Sequence, residues 1–118
     1  MSALARHFLH QNIPVFGFDR TKTALTEALE KEGAILCYTE DLDAYPGWPA
    51  AETTVIYTPA IAPTHPWRIF FEAYEPIKRA AALGLITNGH KTLAVAGTHG
   101  KTTTSAMLTH LLTEAGLD

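Results

Sequence analysis

A glycine-bearing turn near the C-terminal end, which reads GTHGKTT from Gly97 to Thr103, constrains the fold of this chain more than any other stretch. The mostly apolar run from Lys91 to Ala96 before it predicts a short buried strand. An apolar stripe at helical spacing, closed by Gly116, predicts a helix after it. The residues of this stripe are Met107, Leu108, Leu111, Leu112 and Ala115. A strand, a glycine turn and a helix in this order are typical of a phosphate-binding loop.

The chemistry of the turn predicts a site for nucleotide phosphates. Glycines let the backbone approach an anion closely, so that N–H groups and the positive end of the helix converge on it. Lys101 is expected to reach the terminal phosphates, with the Thr102 hydroxyl on Mg²⁺. The common pattern has a glycine where this chain has Val95, and the alternative is a simple turn with a solvated lysine. The predicted phosphate-binding residues are Gly97, Thr98, His99, Gly100, Lys101, Thr102 and Thr103.

Composition places the chain among ordinary globular proteins. Its 118 residues are 47% hydrophobic and 18% charged, which suits one domain, or one domain and part of another. The net charge of -3 gives no reason to expect nucleic acid or an anionic membrane as a partner. The single cysteine, Cys37, lies in an apolar run and predicts a buried strand residue. No stretch has the length of a membrane-spanning helix and no secretory signal is visible, so we expect a cytoplasmic protein.

Strand-like and helix-like segments alternate along the first 88 residues and predict an α/β fold. Expected strands cover residues 13–18, 34–38, 53–57 and 76–78. Expected helices cover the first residues, a segment from a cap at Thr21 or Thr23 to Gly33, residues 66–74 and residues 79–86. Residues 40–52 predict a loop or a short helix. Alternation of this kind is typical of a parallel sheet with right-handed crossovers.

Two polar residues follow expected strands, at the edge where the ligands of parallel sheets bind. Asp19 is either a ribose ligand or a capping or turn aspartate, and Thr58 either contacts a ligand or holds its own turn. The six histidines have no metal-ligand spacing, and His65 is expected to be a turn residue. Trp48 and Trp67 are expected to serve packing or surface contact.

The stretch from Ala96 to Thr104 resembles the ATP-binding loop of the Mur ligases, the ATP-dependent amide ligases of peptidoglycan synthesis. Other segments along the whole chain are similar to the same family. They are Met1–Arg6, Gly17–Thr21, Leu25–Thr26, Tyr57–Ile61, His65 and Lys78–Arg79. The chain departs from the family at Ala81, where an acidic residue is usual, and lacks the first strand and glycine-rich turn expected immediately before Met1. We therefore expect both ends to be internal to a longer protein.

The resemblance implies two domains and an activity. Residues 1–88 are expected to form most of a Rossmann-like, UDP-sugar-binding domain without its first strand, and residues 89–118 the first strand, P-loop and helix of a central ATPase domain. The histidine form of the loop implies joining of L-alanine to UDP-N-acetylmuramate through an acyl phosphate, with ATP and Mg²⁺ as cofactors. Lys101 is then the expected catalytic residue, Thr102 the metal ligand, and Asp19 and Thr58 the substrate-binding residues.

Other functions stay open beside this one. They are a tripeptide-recycling ligase of the same family, an unrelated P-loop kinase or NTPase, and a non-catalytic nucleotide-sugar-binding module. The 118-residue chain alone is expected to lack ligase activity, because it encodes only one wall of an active site. The sequence makes no prediction of the oligomeric state.

Overall fold

Helices and short strands alternate in the computed structural model, which describes residues 1–117. The chain divides into two compact units, Met1–Ile86 and the residues from Thr87 onward. The helices are α1 (Ser2–His10), α2 (Ala24–Lys31), α3 (Pro66–Phe70), α4 (Arg79–Thr87) and α5 (Lys101–Glu114). The strands are β1 (Phe16–Phe18), β2 (Ile35–Cys37), β3 (Ile56–Tyr57) and β4 (Ile77–Lys78), and short 3₁₀ turns lie at Leu42–Ala44, Ala50–Glu52 and Phe71–Tyr74. None of the helices described over residues 1–117 has both the length and the apolar character needed to cross a membrane.

The strands of the first unit form two parallel pairs, β1 with β2 and β3 with β4, which confirms the expected α/β class. Gly17 lies opposite Leu36, whose side chain comes within 3.1 Å of the place that a Cβ on Gly17 would take. The strands are shorter than the sequence predicts. Before β1, the Ile13 N–H donates to the Phe8 carbonyl at 3.0 Å and so ends α1. Pro14 has no N–H to give to a ladder, and β1 begins only at the second residue after it.

Local sequence signals place both ends of α2. Thr23 is the N-cap: its hydroxyl accepts the Thr26 N–H at 3.3 Å, and the Thr26 hydroxyl accepts the Thr23 N–H at 2.8 Å. This reciprocal capping box selects Thr23 over Thr21. Gly33 ends the helix with φ of 104°, and the N–H groups of Gly33 and Ala34 donate back to carbonyls of the last turn. The glycine therefore acts as the stop that the sequence predicts.

An aromatic cluster forms the core of the first unit. Trp67 is 2% exposed, and its ring centre lies 5.4 Å from that of Phe16 and 5.8 Å from that of Phe71. The other members of the aromatic cluster are Phe18, Tyr45, Trp48, His65, Phe70 and Tyr74. Of the two roles expected of the tryptophans, packing or surface contact, Trp67 packs in the core and the half-buried Trp48 packs against Tyr45. Cys37 is buried at the end of β2, as its apolar neighbours predict.

An exposed ion pair joins α1 to the end of α2. The Nε and Nη2 atoms of Arg6 each donate to the Glu32 carboxylate at 2.8 Å, so that the contact is bidentate. The hydrogen bond from Arg6 lowers the pKa of Glu32, and the bond to Glu32 raises the pKa of Arg6. Each of the two side chains therefore favours the charged form of the other.

The second unit departs from the sequence prediction before the glycine turn. Residues 91–96 form no strand, and Leu93 is 64% exposed. A strand needs a partner for its ladder of hydrogen bonds, and none of residues 1–117 pairs with this run. The expectation of a buried strand here is wrong. α5 forms as predicted, but its apolar stripe is uncovered, with Met107 and Leu111 respectively 62% and 64% exposed.

Candidate functional site

The GTHGKTT turn forms a loop that leads directly into α5. Gly100 is the N-cap of the helix, with φ of 75°, a conformation that strains any residue with a side chain. The Thr104 N–H donates to the Gly100 carbonyl at 2.9 Å and makes the first bond of the helix. The N–H groups from Lys101 to Thr103 therefore have no acceptor within the helix. These groups and the helix dipole favour an anion at this end.

Lys101 folds back over the loop. Its ammonium donates to the carbonyls of Gly97 at 2.7 Å and Thr98 at 3.2 Å. The neighbouring His99 places Nδ1 at 3.1 Å from the Thr98 hydroxyl. An anion in the loop can replace the two carbonyls as the partner of the ammonium, because charge-assisted bonds to phosphate are stronger than bonds to neutral carbonyls. The seven residues expected to bind phosphate thus lie in one loop and helix start, and their binding of a nucleotide stays a prediction.

The loop suits a magnesium ion that is held mainly by nucleotide phosphates. Thr102, the second residue of α5, offers a hydroxyl oxygen beside the N–H groups. Magnesium at nucleotide sites keeps several waters and takes only one or two protein ligands in addition to phosphate oxygens. Among residues 1–117, no three histidine, cysteine, aspartate or glutamate side chains are placed to hold a metal ion together. The Thr102 hydroxyl is thus the ligand that the loop would offer to a magnesium ion held by phosphates.

Asp19 and Thr58 directly follow the last residues of β1 and β3. The Asp19 carboxylate accepts the Thr21 N–H at 3.1 Å, and the Asp19 N–H donates to the Cys37 carbonyl at 3.1 Å. The Thr58 carbonyl accepts the Ile61 N–H at 3.1 Å. Both residues therefore hold turns, which is one of the two roles that the sequence leaves open for each. Their strands belong to two separate pairs, and ligand binding by either residue stays a prediction.

A cavity of about 410 Å³ opens in the first unit at the start of α1. Its lining combines apolar side chains, among them Leu4 and Leu83, with Arg79 and His7. The two strand-end residues expected to bind substrate are not part of this lining. The cavity is large enough for part of a small molecule, and the Arg79 guanidinium suits an anionic one.

Curated relatives match the chain along nearly all of its length, although no protein-family model matches it. The UDP-N-acetylmuramate–L-alanine ligase of Parabacteroides distasonis is 45% identical over 124 residues, covering 100% of this chain and 26% of that protein. The enzyme of the same name from Phocaeicola vulgatus is 48% identical over 118 residues, covering 95% of this chain and 25% of the relative. That of Cytophaga hutchinsonii is 45% identical over 121 residues, covering 99% of this chain and 26% of the relative.

The chain belongs to the Mur ligase family. It spans about a quarter of the length of these relatives and matches their N-terminal part. The resemblance to the Mur ligases, drawn from the GTHGKTT loop and from the segments around Gly17 and Tyr57, is therefore confirmed along the whole chain.

One cluster near the carboxyl ends of the strands in this Mur ligase chain was underestimated by the sequence reasoning. His65 is the N-cap of α3, and its Nδ1 atom accepts the Trp67 N–H at 3.3 Å. The Nε2 atom of His65 lies 3.6 Å from the Glu40 carboxylate, and the Trp67 indole N–H donates to the Thr39 carbonyl at 2.9 Å. Pro66 at the first helical position is the sequence signal for this cap. The contacts to Thr39 and Glu40 have no such signal, because they join distant parts of the chain.

Proposed function

We propose that this chain is the N-terminal part of a cytoplasmic ligase that uses ATP to join L-alanine to UDP-N-acetylmuramate in peptidoglycan synthesis. The observation that carries the proposal is the similarity of the whole chain to relatives of that name, which are 40–48% identical to it. The GTHGKTT loop at the start of α5 supports it, because a ligase driven by ATP needs a site for phosphates.

We assign the binding of the UDP-sugar and of ATP to two parts of the chain, close to its division after Ile86. Residues 1–88 would form most of a Rossmann-like domain for the UDP-sugar, and residues 89–118 the beginning of the central ATP-binding domain. The parallel strand pairs and alternating helices of the first unit support the first assignment. The glycine loop that begins α5 supports the second.

The proposed reaction has two steps. The γ-phosphoryl group of ATP passes to the muramic acid carboxylate, which gives ADP and an acyl phosphate; the amine of L-alanine then attacks the acyl carbon and phosphate leaves. Such transfer needs mainly positioning and neutralisation of charge. The N–H groups from Lys101 to Thr103 would hold the phosphates, and the Lys101 ammonium would leave the Gly97 and Thr98 carbonyls to stabilise charge on the transferring group. Thr102 would hold a magnesium ion, which would supply further neutralisation of the phosphate charge.

Asp19 and Thr58 are proposed to contact the UDP-sugar. Ligands of parallel sheets bind beyond the carboxyl ends of the strands, which is where both residues lie. The exposed Asp19 carboxylate has acceptor capacity beyond its bond from Thr21, and a ribose hydroxyl can use it. The half-buried Thr58 offers a hydroxyl at the end of β3.

The proposal is tested in a chimera in which this chain replaces the 124 matched residues of the Parabacteroides distasonis relative. The chimera is expected to release phosphate from ATP only when both UDP-N-acetylmuramate and L-alanine are present. Lys101→Ala is expected to lower kcat by about 100-fold or more, because one charge-stabilising donor is lost at the transferring group. Lys91→Ala, which removes another exposed lysine of the same unit, is the matched control and should leave kcat unchanged.

Two results contradict the proposal: a folded chimera without alanine-dependent phosphate release, and a Lys101→Ala variant with near-normal kcat. Binding of UDP-N-acetylmuramate without ATP turnover would indicate a nucleotide-sugar-binding module instead. The isolated chain is expected to release no phosphate in the presence of L-alanine, because one wall of the active site cannot complete the reaction. Circular dichroism of each protein verifies that loss of activity is not loss of fold.

A further inference from the structure

Two residues at the start of α3 contact both β1 and the loop that follows β2. We call His65 and Trp67 the His65–Trp67 clamp. Both side chains are almost buried, with 10% of the His65 side chain and 2% of Trp67 exposed. The His65 Nδ1 atom accepts the Trp67 N–H at 3.3 Å, so that the two residues are held in a fixed relation to each other.

Trp67 holds the loop after β2. Its indole Nε1 donates to the Thr39 carbonyl at 2.9 Å, and the same carbonyl accepts the Cys37 thiol at 3.2 Å. The Trp67 ring also packs against Phe16 of β1, with the ring centres 5.4 Å apart. Because an indole N–H only donates, this contact fixes the orientation of the ring as well as its position.

His65 holds the end of β1 and reaches the same loop after β2. Its ring centre lies 4.9 Å from that of Phe18, the residue directly before Asp19. Because Nδ1 accepts a hydrogen bond, Nε2 is the ring nitrogen that is left to donate. Nε2 faces the Glu40 carboxylate at 3.6 Å, a distance too long for a hydrogen bond but short enough for electrostatic attraction.

We propose that the His65–Trp67 clamp is a positioning device for the nucleotide-sugar site. It fixes the far end of the loop after β3, which begins at Thr58, against the ends of β1 and β2, and so sets Thr58 relative to Asp19. The proposal rests on the UDP-N-acetylmuramate binding proposed above. Loops that carry binding residues need a rigid scaffold, and a site held in its bound geometry before the ligand arrives loses less entropy on binding. The clamp residues therefore act through the loops that they hold.

A hydrogen bond of similar length before the amino end of β3 provides a control. The Thr53 hydroxyl donates to the Pro49 carbonyl at 2.8 Å, just before this strand begins. The amino ends of parallel strands lie away from the ligand edge of a sheet. Trp67→Phe therefore removes one side-chain donor beyond the carboxyl end of β2, and Thr53→Val removes one before the amino end of β3.

The test measures KM and kcat of variants of the chimera. For Trp67→Phe, KM for UDP-N-acetylmuramate is expected to rise about 5-fold, the effect of one hydrogen bond, with kcat and KM for ATP unchanged. His65→Asn is expected to give the same pattern. Its amide oxygen can keep the cap of α3, but the ring contact with Phe18 and the attraction to Glu40 are lost. For Thr53→Val, kcat and both KM values are expected to stay unchanged.

The outcomes separate positioning from stability. If KM for UDP-N-acetylmuramate stays at its original value in the clamp variants of an active chimera, this proposal is overturned and the proposed function is not. An equal rise of KM in Thr53→Val also overturns it, since the effect then reports a general loss of stability. If Trp67→Phe fails to fold, His65→Asn decides the question. An inactive unmodified chimera overturns the proposed function and this proposal together.

Discussion

Replacing Thr26 by valine tests the account of how α2 begins. Thr26 is 5% exposed, which makes it a buried polar residue of the first unit. Its hydroxyl accepts the Thr23 N–H at 2.8 Å and donates to the Thr23 carbonyl at 2.9 Å. Valine keeps the shape of the side chain but removes both hydrogen bonds, and it leaves the Thr23 N–H without this acceptor.

The size of the effect follows from these contacts. Each of the two hydrogen bonds contributes about 1 kcal/mol, and no desolvation penalty is added because Thr23 is exposed. Thr26→Val is therefore expected to lower the free energy of unfolding by about 2 kcal/mol. Thr23→Ala, which removes only the cap hydroxyl, is expected to lower it by about 1 kcal/mol. With a slope of about 1–3 kcal/mol per molar urea, Thr26→Val moves the urea midpoint down by about 1 M, followed by far-ultraviolet circular dichroism.

The control for Thr26→Val is the same change at the exposed Thr64, which should alter stability by less than about 0.5 kcal/mol. The double variant of Thr23→Ala and Thr26→Val should lose less than the sum of the single losses, because both residues belong to one capping box. A Thr26→Val chain as stable as the unmodified one would refute the reasoning. Single effects that add in full would refute the reciprocal cap.

Three further changes test the packing and charges of the first unit. Trp67→Ala should lower the free energy of unfolding by about 3–5 kcal/mol, because a ring only 2% exposed is lost from the core. Its control is Ile69→Ala on the same helix, which should change the free energy of unfolding by less than about 1 kcal/mol because Ile69 is 57% exposed. Gly33→Ala should lower the free energy of unfolding by about 1 kcal/mol or more, because φ of 104° strains alanine. Urea unfolding measures the losses from Trp67→Ala and Gly33→Ala. An unchanged stability in either variant contradicts the role assigned to that residue. Arg6 lowers the pKa of folded Glu32, so the stabilisation from this pair is present above the unfolded value near 4.5 and is lost as pH falls through the lower folded value. Unfolding of the unmodified chain and of Glu32→Gln, compared from about pH 7 to about pH 2, should show a stability difference that shrinks towards acid; a constant difference would contradict the linkage.

The sequence was sufficient wherever a structure depends on neighbours a few residues apart. Gly33 ends α2 and Gly116 ends α5 as predicted, and the cap of α2 is Thr23, one of the two that the sequence left open, because caps are made by hydrogen bonds within one helical turn. A helix after the glycine turn was predicted for the same reason, and α5 begins at Lys101, within the predicted turn. The residues of the GTHGKTT turn also indicated the family to which the chain belongs.

Tertiary structure alone decided the features that join distant residues. Residues 91–96 have the composition of a strand but form none, because a strand exists only where a partner accepts its hydrogen bonds. His65 and Trp67 are indistinguishable from turn and surface residues until Phe18 and Thr39 are brought beside them. Local hydrogen bonds are set by residues three or four apart, whereas pairing and burial depend on residues that the fold alone brings together. The sequence by itself thus determined where α2 and α5 end and that a glycine turn precedes α5, and the fold decided which strands pair and which side chains hold the proposed site.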